Sequence, residues 1–313
     1  LLAKNKKPVK RILVNEWTPQ DITRGLENLK DEEDMRNLQA AGYTRLITDW
    51  LIGINFTSVA TLKYGNGKLL NIGRVILPTV KLVYDRDMEI KNFVPKTYFE
   101  IEGNFKCANG TYKGKLIKGK ETKFDTEEEA MAVIDSITSK NGVISSKKVT
   151  KSKEYAPKLF SLTSLKGYIT SKYSHFTSDK VLNMCQSLSE GKGKGGYITY
   201  PRNDSVYLEE SLTDKASQTL NRLKQNLPYE DKIKFAKTKR VFDSSKVDSH
   251  SAIIPTYIVP NSLTPDEQIV YQAIKDRFIA NFMPPAEYEN TEIKTHVDDS
   301  VFLTKGKVLK VKG

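Results

Sequence analysis

The sequence has little of what metal centres and disulfide scaffolds are built from: its 313 residues include two cysteines and three histidines. The two cysteines, Cys107 and Cys185, are too few for a tetracysteine zinc site or a disulfide framework. We therefore expect both thiols to be space fillers, in a core or on the surface, in a reducing, cytoplasmic setting.

Long apolar runs are missing as well. No stretch approaches the roughly 18–20 apolar residues that a membrane helix needs, and no charged-then-apolar segment typical of a secretory signal opens the chain. The chain starts at Leu1 rather than methionine and stops abruptly at Gly313, which predicts a piece of a longer protein. With 38% hydrophobic and 28% charged residues we expect packed cores, and the length suits two or three domains.

Acidic residues are outnumbered, 38 against 50 lysines and arginines, which gives a formal net charge of +12. Such an excess favours a polyanionic partner, because every neutralised phosphate releases condensed counterions. A solvated, lysine-rich surface without such a partner would have the same composition. The charge therefore favours nucleic-acid binding without establishing it.

Hydrophobic spacing predicts elements in the order helical, β-rich, helical, β-rich. A short strand at 9–15 precedes a helix that begins at Thr18-Pro19, with threonine as the cap and proline in the first turn. Glycines mark a turn at 65–67 and a loop at 191–196. The further predicted helices are 34–51, 79–90, 125–139, 159–172, 178–189, 209–225 and 264–282, and the further predicted strands are 97–105, 111–118, 142–151 and 287–312. A β-rich region visited twice, with a helical domain inserted between the visits, explains this order better than a serial string of domains.

The segment Tyr200-Pro201-Arg202 carries the most chemical information. A residue before proline is held extended, so Tyr200 can present its phenol at a loop edge rather than inside a helix. A free phenol is a poor nucleophile at neutral pH, and Arg202, two residues on, could stabilise the charge of a phosphoryl-transfer transition state. Asp204 and Ser205 could cap the next helix or orient Arg202. Any one of the 15 tyrosines could equally be a half-buried aromatic.

Six motifs together resemble one family. Residues 198–205 resemble the active-site motif I-T-Y-P-R-T-D-S of type IA DNA topoisomerases, the topoisomerase III branch in particular, and depart from it only at Asn203. Segments resembling that family's D-W-L-x-G-x-N, G-R-V-Q-T-P-T, R-x-x-E-I-x-x-F, L-T-x-L and H-x-A-I-I-P-T motifs lie at 49–55, 73–79, 86–93, 162–165 and 250–256. Each motif alone is weak, but six in family order over nearly the whole chain are specific.

This resemblance implies roles for individual residues. Tyr200 would attack a DNA phosphate and hold the 5′ end as a phosphotyrosine, and Arg202 would position and neutralise that phosphate. His250 would lie beside the cleavage site, contacting DNA or assisting proton movement, although a structural histidine is the alternative. Trp50 would be a stacking platform for single-stranded DNA or else a core aromatic. The resemblance places the other DNA-binding residues at Arg45, Asn71, Ile72, Gly73, Arg74, Val75, Ile76 and Asp204, with Arg74 gripping phosphate where glycine allows close approach.

Some residues depart from the family pattern. Ser58 and Ile47 stand where arginines are frequent, and Lys166 and Ile76 stand where glutamines are frequent. Ser251 replaces a second histidine. We expect these changes to weaken the grip on DNA without removing the chemistry.

The D-x-D-x-E cluster of the family's metal-binding Toprim domain is not found before Tyr200. The run at 31–34 is a solvated start of a helix. The resemblance therefore implies Mg²⁺ bound by an acidic domain absent from this chain, and it predicts that the chain alone is inactive. The alternative function is a non-catalytic fragment that binds single-stranded DNA and acts in gating.

Two other classes that use tyrosine on DNA fit less well. The histidine-cluster relaxases need grouped metal ligands, and His175, His250 and His296 are isolated from one another in the sequence. Tyrosine recombinases need an Arg-His-x-Arg constellation that we do not find.

The predicted fold class is mixed α and β and multidomain: a helical segment and a β-rich arch interrupted by an inserted, mainly helical domain that carries the active-site tyrosine. The predicted function is that of a type IA DNA topoisomerase, an isomerase and monomer that relaxes or decatenates DNA and prefers single strands. Hinges are expected near Pro95 and Tyr155–Pro157. The predicted domains are 1–15 (the tail of an absent Toprim domain), 16–94 (helical, DNA-binding), 95–154 (β-rich arch), 155–258 (helical, with the tyrosine) and 259–313 (a helix and the return into the arch).

Overall fold

The computed structural model describes residues 7–14, 19–119, 121–191, 195–247 and 250–313. These residues form two compact units, one within 1–13 and 28–97 and the other within 14–27 and 98–313. The prediction of mixed α and β structure is confirmed, whereas the five domains drawn from the sequence stay predictions. The predicted cap at Thr18 and residues 192–194 of the predicted glycine loop lie outside the described residues.

The helices and strands follow one another in groups. In chain order they are β1 (Lys10–Arg11), α1 (Pro19–Glu27), β2 (Lys30–Asp31), α2 (Glu32–Tyr64), α3 (Ile76–Lys91), β3 (Glu102–Cys107), β4 (Gly110–Ile117), α4 (Glu127–Ile137), β5 (Val143–Glu154), α5 (Leu162–Lys172), α6 (Ser178–Glu190), α7 (Thr213–Leu223), α8 (Pro265–Ala280), β6 (Ala286–Val297) and β7 (Ser300–Val311). Short 3₁₀ turns lie at Glu210–Leu212, Glu230–Lys232 and Ser244–Lys246.

Helix α2 has 33 residues and extends well beyond the helix predicted for 34–51. The prediction stopped where the apolar spacing became irregular, but no proline or glycine pair interrupts the chain before Gly65. There the amide of Gly65 still donates to the carbonyl of Thr61 at 2.9 Å, and the predicted glycine turn follows. The last turns of α2 also hold the next segment, because Thr57 Oγ1 accepts a hydrogen bond from the amide of Ile72 at 2.9 Å.

Three other boundaries differ from the prediction for identifiable reasons. Helix α3 begins at Ile76 rather than near residue 79, because a proline such as Pro78 is tolerated in the first turn, where its missing N–H is not needed. The strand predicted from residue 97 begins only at Glu102, since Phe99 forms an isolated bridge with Phe124. The helix predicted for 209–225 divides into a 3₁₀ turn and α7.

A five-stranded sheet in the second unit has the order β3-β4-β7-β6-β5. Its pairs are antiparallel, and a long pairing joins β5 to β6, from Val143 opposite His296 to Glu154 opposite Ala286. Strands from before and after the helices at 162–280 therefore lie in one sheet. Two connections join the sheet to those helices, one just after β5 and one just before β6.

Two apolar clusters fill the helical part of this unit. One joins α5, α6 and α8, and the other joins α7 and the end of α8. Helix α8 enters both, with Ile274 in the first cluster and Phe278 in the second. The chain runs between the clusters at Ala252, Ile253 and Ile254, where Ile253 packs into the first and its two neighbours pack into the second. This alternation of an extended chain fixes the segment that follows His250.

Candidate active site around Tyr200

Tyr200 ends a buried extended segment that follows α6. Ile198 is almost fully buried, whereas 39% of Tyr200 is exposed. The segment is tied to the chain around Ile254, because the amide of Thr199 donates to the Ile254 carbonyl at 2.9 Å. Pro201 follows and disfavours a helical backbone at Tyr200. The Tyr200 side chain therefore lies at the surface, while the backbone that precedes it is held by hydrogen bonds to the chain around Ile254.

Thr199 and Gly196 explain why this segment takes one conformation. Thr199 Oγ1 donates to the carbonyl of Ala252 at 3.2 Å and accepts from the amide of Ile254 at 3.0 Å. A Cβ at Gly196 would lie 2.3 Å from the carbonyl oxygen of Ser189, so a side chain cannot be accommodated there without a shift of backbone. The conformation of the segment before Tyr200 is thus fixed by the hydrogen bonds of Thr199 and by the close backbone approach at Gly196.

His250 lies directly against Tyr200. Their ring centroids are 4.8 Å apart and the ring planes are inclined at 49°, a separation typical of aromatic contact pairs. His250 is half-buried, so one part of its ring remains accessible. The structure thus brings together two residues that are 50 positions apart in the sequence.

Asn203 joins the two segments that carry these rings. It is buried, and its Nδ2 donates to the carbonyl of Ser251 at 2.8 Å and to that of Tyr200 at 3.4 Å. Its own carbonyl accepts from the amide of Leu162 at the start of α5, at 3.2 Å. Sequence reasoning treated Asn203 only as a departure from the family pattern and missed this role. The signal that could have found it is the change from threonine to a residue with two side-chain donors.

Arg202 and Asp204 point outward beside the tyrosine. Both are exposed, and neither makes a hydrogen bond or ion pair with any residue that the structure describes. The suggestion that Asp204 and Ser205 cap the next helix is wrong, since Ser205 Oγ donates to the carbonyl of Lys246 at 2.9 Å and accepts from the amide of Tyr207 at 3.1 Å. The Arg202 guanidinium is available for an anion.

Two of the predicted DNA-binding residues of the first unit, Arg45 and Arg74, lie against Asp49. Arg74 Nε lies 2.8 Å from this carboxylate and Arg45 Nε lies 3.9 Å from it. Trp50 is 59% exposed, so it is not a core residue of this unit as the structure describes it. The loop at 71–75 leads into Ile76, the first residue of α3, and no atom comes within 4 Å of a Cβ built at Gly73.

The two cysteines behave as predicted for space fillers. Cys107 is exposed in the β3–β4 hairpin and Cys185 is buried in the α5–α6–α8 cluster. Burial raises the pKa of the Cys185 thiol to about 12, so it is not a nucleophile at neutral pH. Within the described ranges, no group of three or more histidine, cysteine or acidic side chains could hold a metal ion, and no helix is long and apolar enough to cross a membrane.

Three comparisons show which known proteins this chain resembles. The DNA topoisomerase family model matches residues 33–313. DNA topoisomerase 3 of Staphylococcus saprophyticus is 33% identical over 98% of this chain and 42% of its own length, and that of Bacillus subtilis is 30% identical over 99% and 43%. Full-length topoisomerase I from Thermotoga maritima has a similar structure, with a TM-score of 0.69 and 27% identity over 96% of this chain and 48% of that one.

The chain thus spans less than half the length of the curated relatives it matches. The matches nevertheless cover almost all of its own residues, including the segments that hold Tyr200 and His250. They confirm the family resemblance that the six motifs indicated, and the chain belongs to the DNA topoisomerase family.

Proposed function

We propose that this chain cleaves single-stranded DNA by transesterification at Tyr200, so that strand passage and religation relax or decatenate DNA. The observation that carries the proposal is the exposed phenol of Tyr200, on a fixed backbone and in ring contact with His250 at 4.8 Å. Family membership supports DNA as the substrate. The activity of the whole protein is part of this proposal.

In the proposed step the Tyr200 oxygen attacks a backbone phosphorus. A new O–P bond forms, the P–O3′ bond breaks, and the 5′ end of the DNA is held as a phosphotyrosine. The phenol proton must leave, and the departing 3′ oxygen must gain a proton. His250, beside the ring, is the described residue best placed to assist this proton movement or to hold the DNA next to it.

Arg202 supplies charge in this proposal. Phosphoryl transfer depends mainly on positioning and on stabilising the charge of the transition state. The exposed Arg202 guanidinium lies two residues from the nucleophile on the same loop, and a planar guanidinium matches two phosphate oxygens at once. Asp204 on the same loop is proposed to help orient the strand.

The first unit is proposed to bind the backbone and bases of single-stranded DNA. Arg74 and Arg45 share one carboxylate, Asp49, so their combined charge is only half neutralised. Phosphate contacts of this kind position the backbone, and the exposed Trp50 offers a stacking surface for a base. The preference for single strands, the monomeric state and the cytoplasmic setting stay predictions.

The magnesium ion implied by the family does not fit the described residues, since no suitable cluster of ligands is found among them. No step above is therefore derived through a metal, and the requirement for Mg²⁺ stays a prediction. We also propose that these 313 residues bind DNA but transesterify slowly, because Tyr200, Arg202 and His250 are present whereas the described residues include no cluster that could hold the metal ion implied by the family.

Two assays on the 313-residue chain test the proposal. Fluorescence anisotropy should show tighter binding to a single-stranded than to a duplex oligonucleotide, with affinity falling as salt rises. Equal, salt-independent affinities would contradict it. Supercoiled plasmid should not be relaxed at a useful rate, and robust relaxation would show that the acid–base groups have been misplaced.

A further inference from the structure

A cluster of two lysines and a tyrosine lies close to the candidate active site in the same unit. Lys158 Nζ donates a hydrogen bond to the Tyr207 hydroxyl and lies 4.3 Å from the centre of the Tyr207 ring. Lys246 Nζ lies 4.8 Å from the same ring centre. Two ammonium groups therefore flank one phenol.

The backbone of each member is anchored to the chain that follows His250 or to its neighbours. The amide of Ala252 donates to the Tyr207 carbonyl at 2.8 Å, and Ser205 Oγ donates to the Lys246 carbonyl at 2.9 Å. Lys158 precedes Phe160, whose carbonyl accepts from the amide of Ile253 at 2.8 Å. The cluster is thus held in place before any ligand binds.

The cluster lies near the reacting tyrosine. Ala252, which holds Tyr207, is two residues from His250, and two residues span at most about 7 Å. His250 in turn contacts the Tyr200 ring. A DNA strand with one phosphate at Tyr200 would bring a neighbouring phosphate within reach of the cluster.

Charge in the cluster is only partly neutralised. Asp243 pairs with Lys246 at 3.1 Å, whereas no carboxylate in the part of the chain that the structure describes pairs with Lys158. The hydrogen bond from Lys158, followed by that from Lys246, lowers the pKa of the Tyr207 phenol, which reports a positive local potential. Both lysine side chains are exposed, so an anion can approach.

We propose that Lys158, Tyr207 and Lys246 form a second phosphate-binding site, which holds a backbone phosphate of the DNA strand beside the one attacked by Tyr200. The two ammonium groups act as point charges towards the phosphate, and the Tyr207 hydroxyl holds them apart and donates a further hydrogen bond. This proposal rests on the proposed function, because it assigns part of the same DNA strand.

The chain offers a closely matched control for the two lysines. Lys172 Nζ donates to the Tyr168 hydroxyl at 2.6 Å and lies 4.3 Å from that ring centre, as Lys158 does on Tyr207. Lys180 lies 4.8 Å from the Phe176 ring centre, just as Lys246 lies over the Tyr207 ring. Lys180 also pairs with a carboxylate, Asp266, at 2.7 Å, just as Lys246 pairs with Asp243. A double substitution at 172 and 180 therefore removes the same charge and the same kinds of contact elsewhere.

The test compares Lys158→Met/Lys246→Met with Lys172→Met/Lys180→Met in the full chain. Affinity for a single-stranded oligonucleotide is measured by anisotropy between about 50 and 200 mM KCl, and thermal unfolding checks the fold. Losing one phosphate contact should make the slope of log K against log salt shallower by about 0.7 in the cluster variant. The ratio of wild-type affinity to variant affinity should therefore fall about 2.6-fold between the low and the high salt concentration. The control variant should keep the wild-type slope.

Several results would overturn the proposal. An unchanged slope in the cluster variant, or an equal change in the control, would reduce the lysines to structural or net-charge roles. Calorimetry with inorganic phosphate tests whether the cluster binds a free anion instead of DNA. If the cluster variant loses phosphate binding while its salt slope for DNA is unchanged, the cluster is an anion site unrelated to DNA. If the wild-type chain binds no oligonucleotide, the proposed function fails with it. If the chain binds and forms an adduct at Tyr200 while the slope is unchanged, only this second site is wrong.

Discussion

The rings of Tyr200 and His250 lie in contact, with centroids 4.8 Å apart, although 50 positions separate them in the sequence. Their backbones are brought together by hydrogen bonds between the segment that ends at Tyr200 and the segment that follows His250. A histidine placed against an exposed phenol can share a proton with the phenol oxygen or with a phosphate bound beside it.

Replacing His250 separates its two proposed roles. If it moves a proton, His250→Ala should slow adduct formation by about 10²–10⁴-fold while the dissociation constant for single-stranded DNA stays within a few-fold. His250→Gln keeps a polar side chain but cannot take up and return a proton, so it should be slowed to a similar extent, again with a dissociation constant within a few-fold of wild type. Single-turnover cleavage and anisotropy measure the two quantities, and parallel losses in both would assign His250 to DNA contact alone.

Arg202→Ala should reduce cleavage far more than binding, because its proposed role is to stabilise transition-state charge. Loss of a comparable donor from an oxyanion site costs roughly 2.7–4 kcal/mol. Arg222→Ala, at an exposed arginine in the last turn of α7, is the matched control and should leave the cleavage rate unchanged. Equal factors for binding and cleavage in Arg202→Ala would make Arg202 a docking residue.

Asn203→Ala should destabilise the fold, because it removes the donor shared by the carbonyls of Ser251 and Tyr200. Leaving these part-buried acceptors unpaired should cost about 1 kcal/mol or more in free energy of unfolding. Asn290→Ala, which removes an exposed hydrogen bond to Ser152, should cost less than about 0.5 kcal/mol. Denaturant unfolding measures both, and equal small losses would show that the Asn203 bridge is not important.

The buried thiol of Cys185 should resist reagents in the folded protein. Burial raises its pKa from 9.0 to about 12, so the unfolded chain releases this proton first. The stabilising contribution is therefore complete below pH 9 and is lost as pH rises towards 12. At pH 8 a thiol reagent should modify Cys107 quickly and Cys185 only after unfolding. Equal native rates for both thiols would contradict the buried position.

The sequence allowed the mixed fold class, most helices and the candidate site around Tyr200 to be predicted. Short-range signals carried these inferences, since apolar spacing marks helices such as α6 and proline after Tyr200 indicates an extended backbone. Six ordered motifs added the family. The length of α2 was underestimated, because a helix continues through irregular apolar spacing when nothing breaks it.

Contacts between distant parts of the chain could not be predicted in this way. The bridge from Asn203 to Ser251 spans 48 positions and the contact of Lys158 with Tyr207 spans 49. No local periodicity encodes such pairs, which depend on how Ile253 and its neighbours pass between two apolar clusters. The 3₁₀ turn before α7 was likewise invisible, since its residues are ordinary helix formers.

The most direct test of the central claim is the identity of the residue that becomes covalently attached to DNA. The 313-residue chain is incubated with Mg²⁺ and a single-stranded oligonucleotide labelled at its 3′ end, because a 5′-phosphotyrosine retains that piece. We expect a slowly formed, labelled adduct that maps by peptide mass spectrometry to Tyr200. Tyr200→Phe should abolish it while thermal stability is unchanged and DNA binding stays within a few-fold. An adduct that persists in Tyr200→Phe, or that maps to Tyr197 or Tyr207, would contradict the account, as would the complete absence of adduct from a wild-type chain that binds the oligonucleotide.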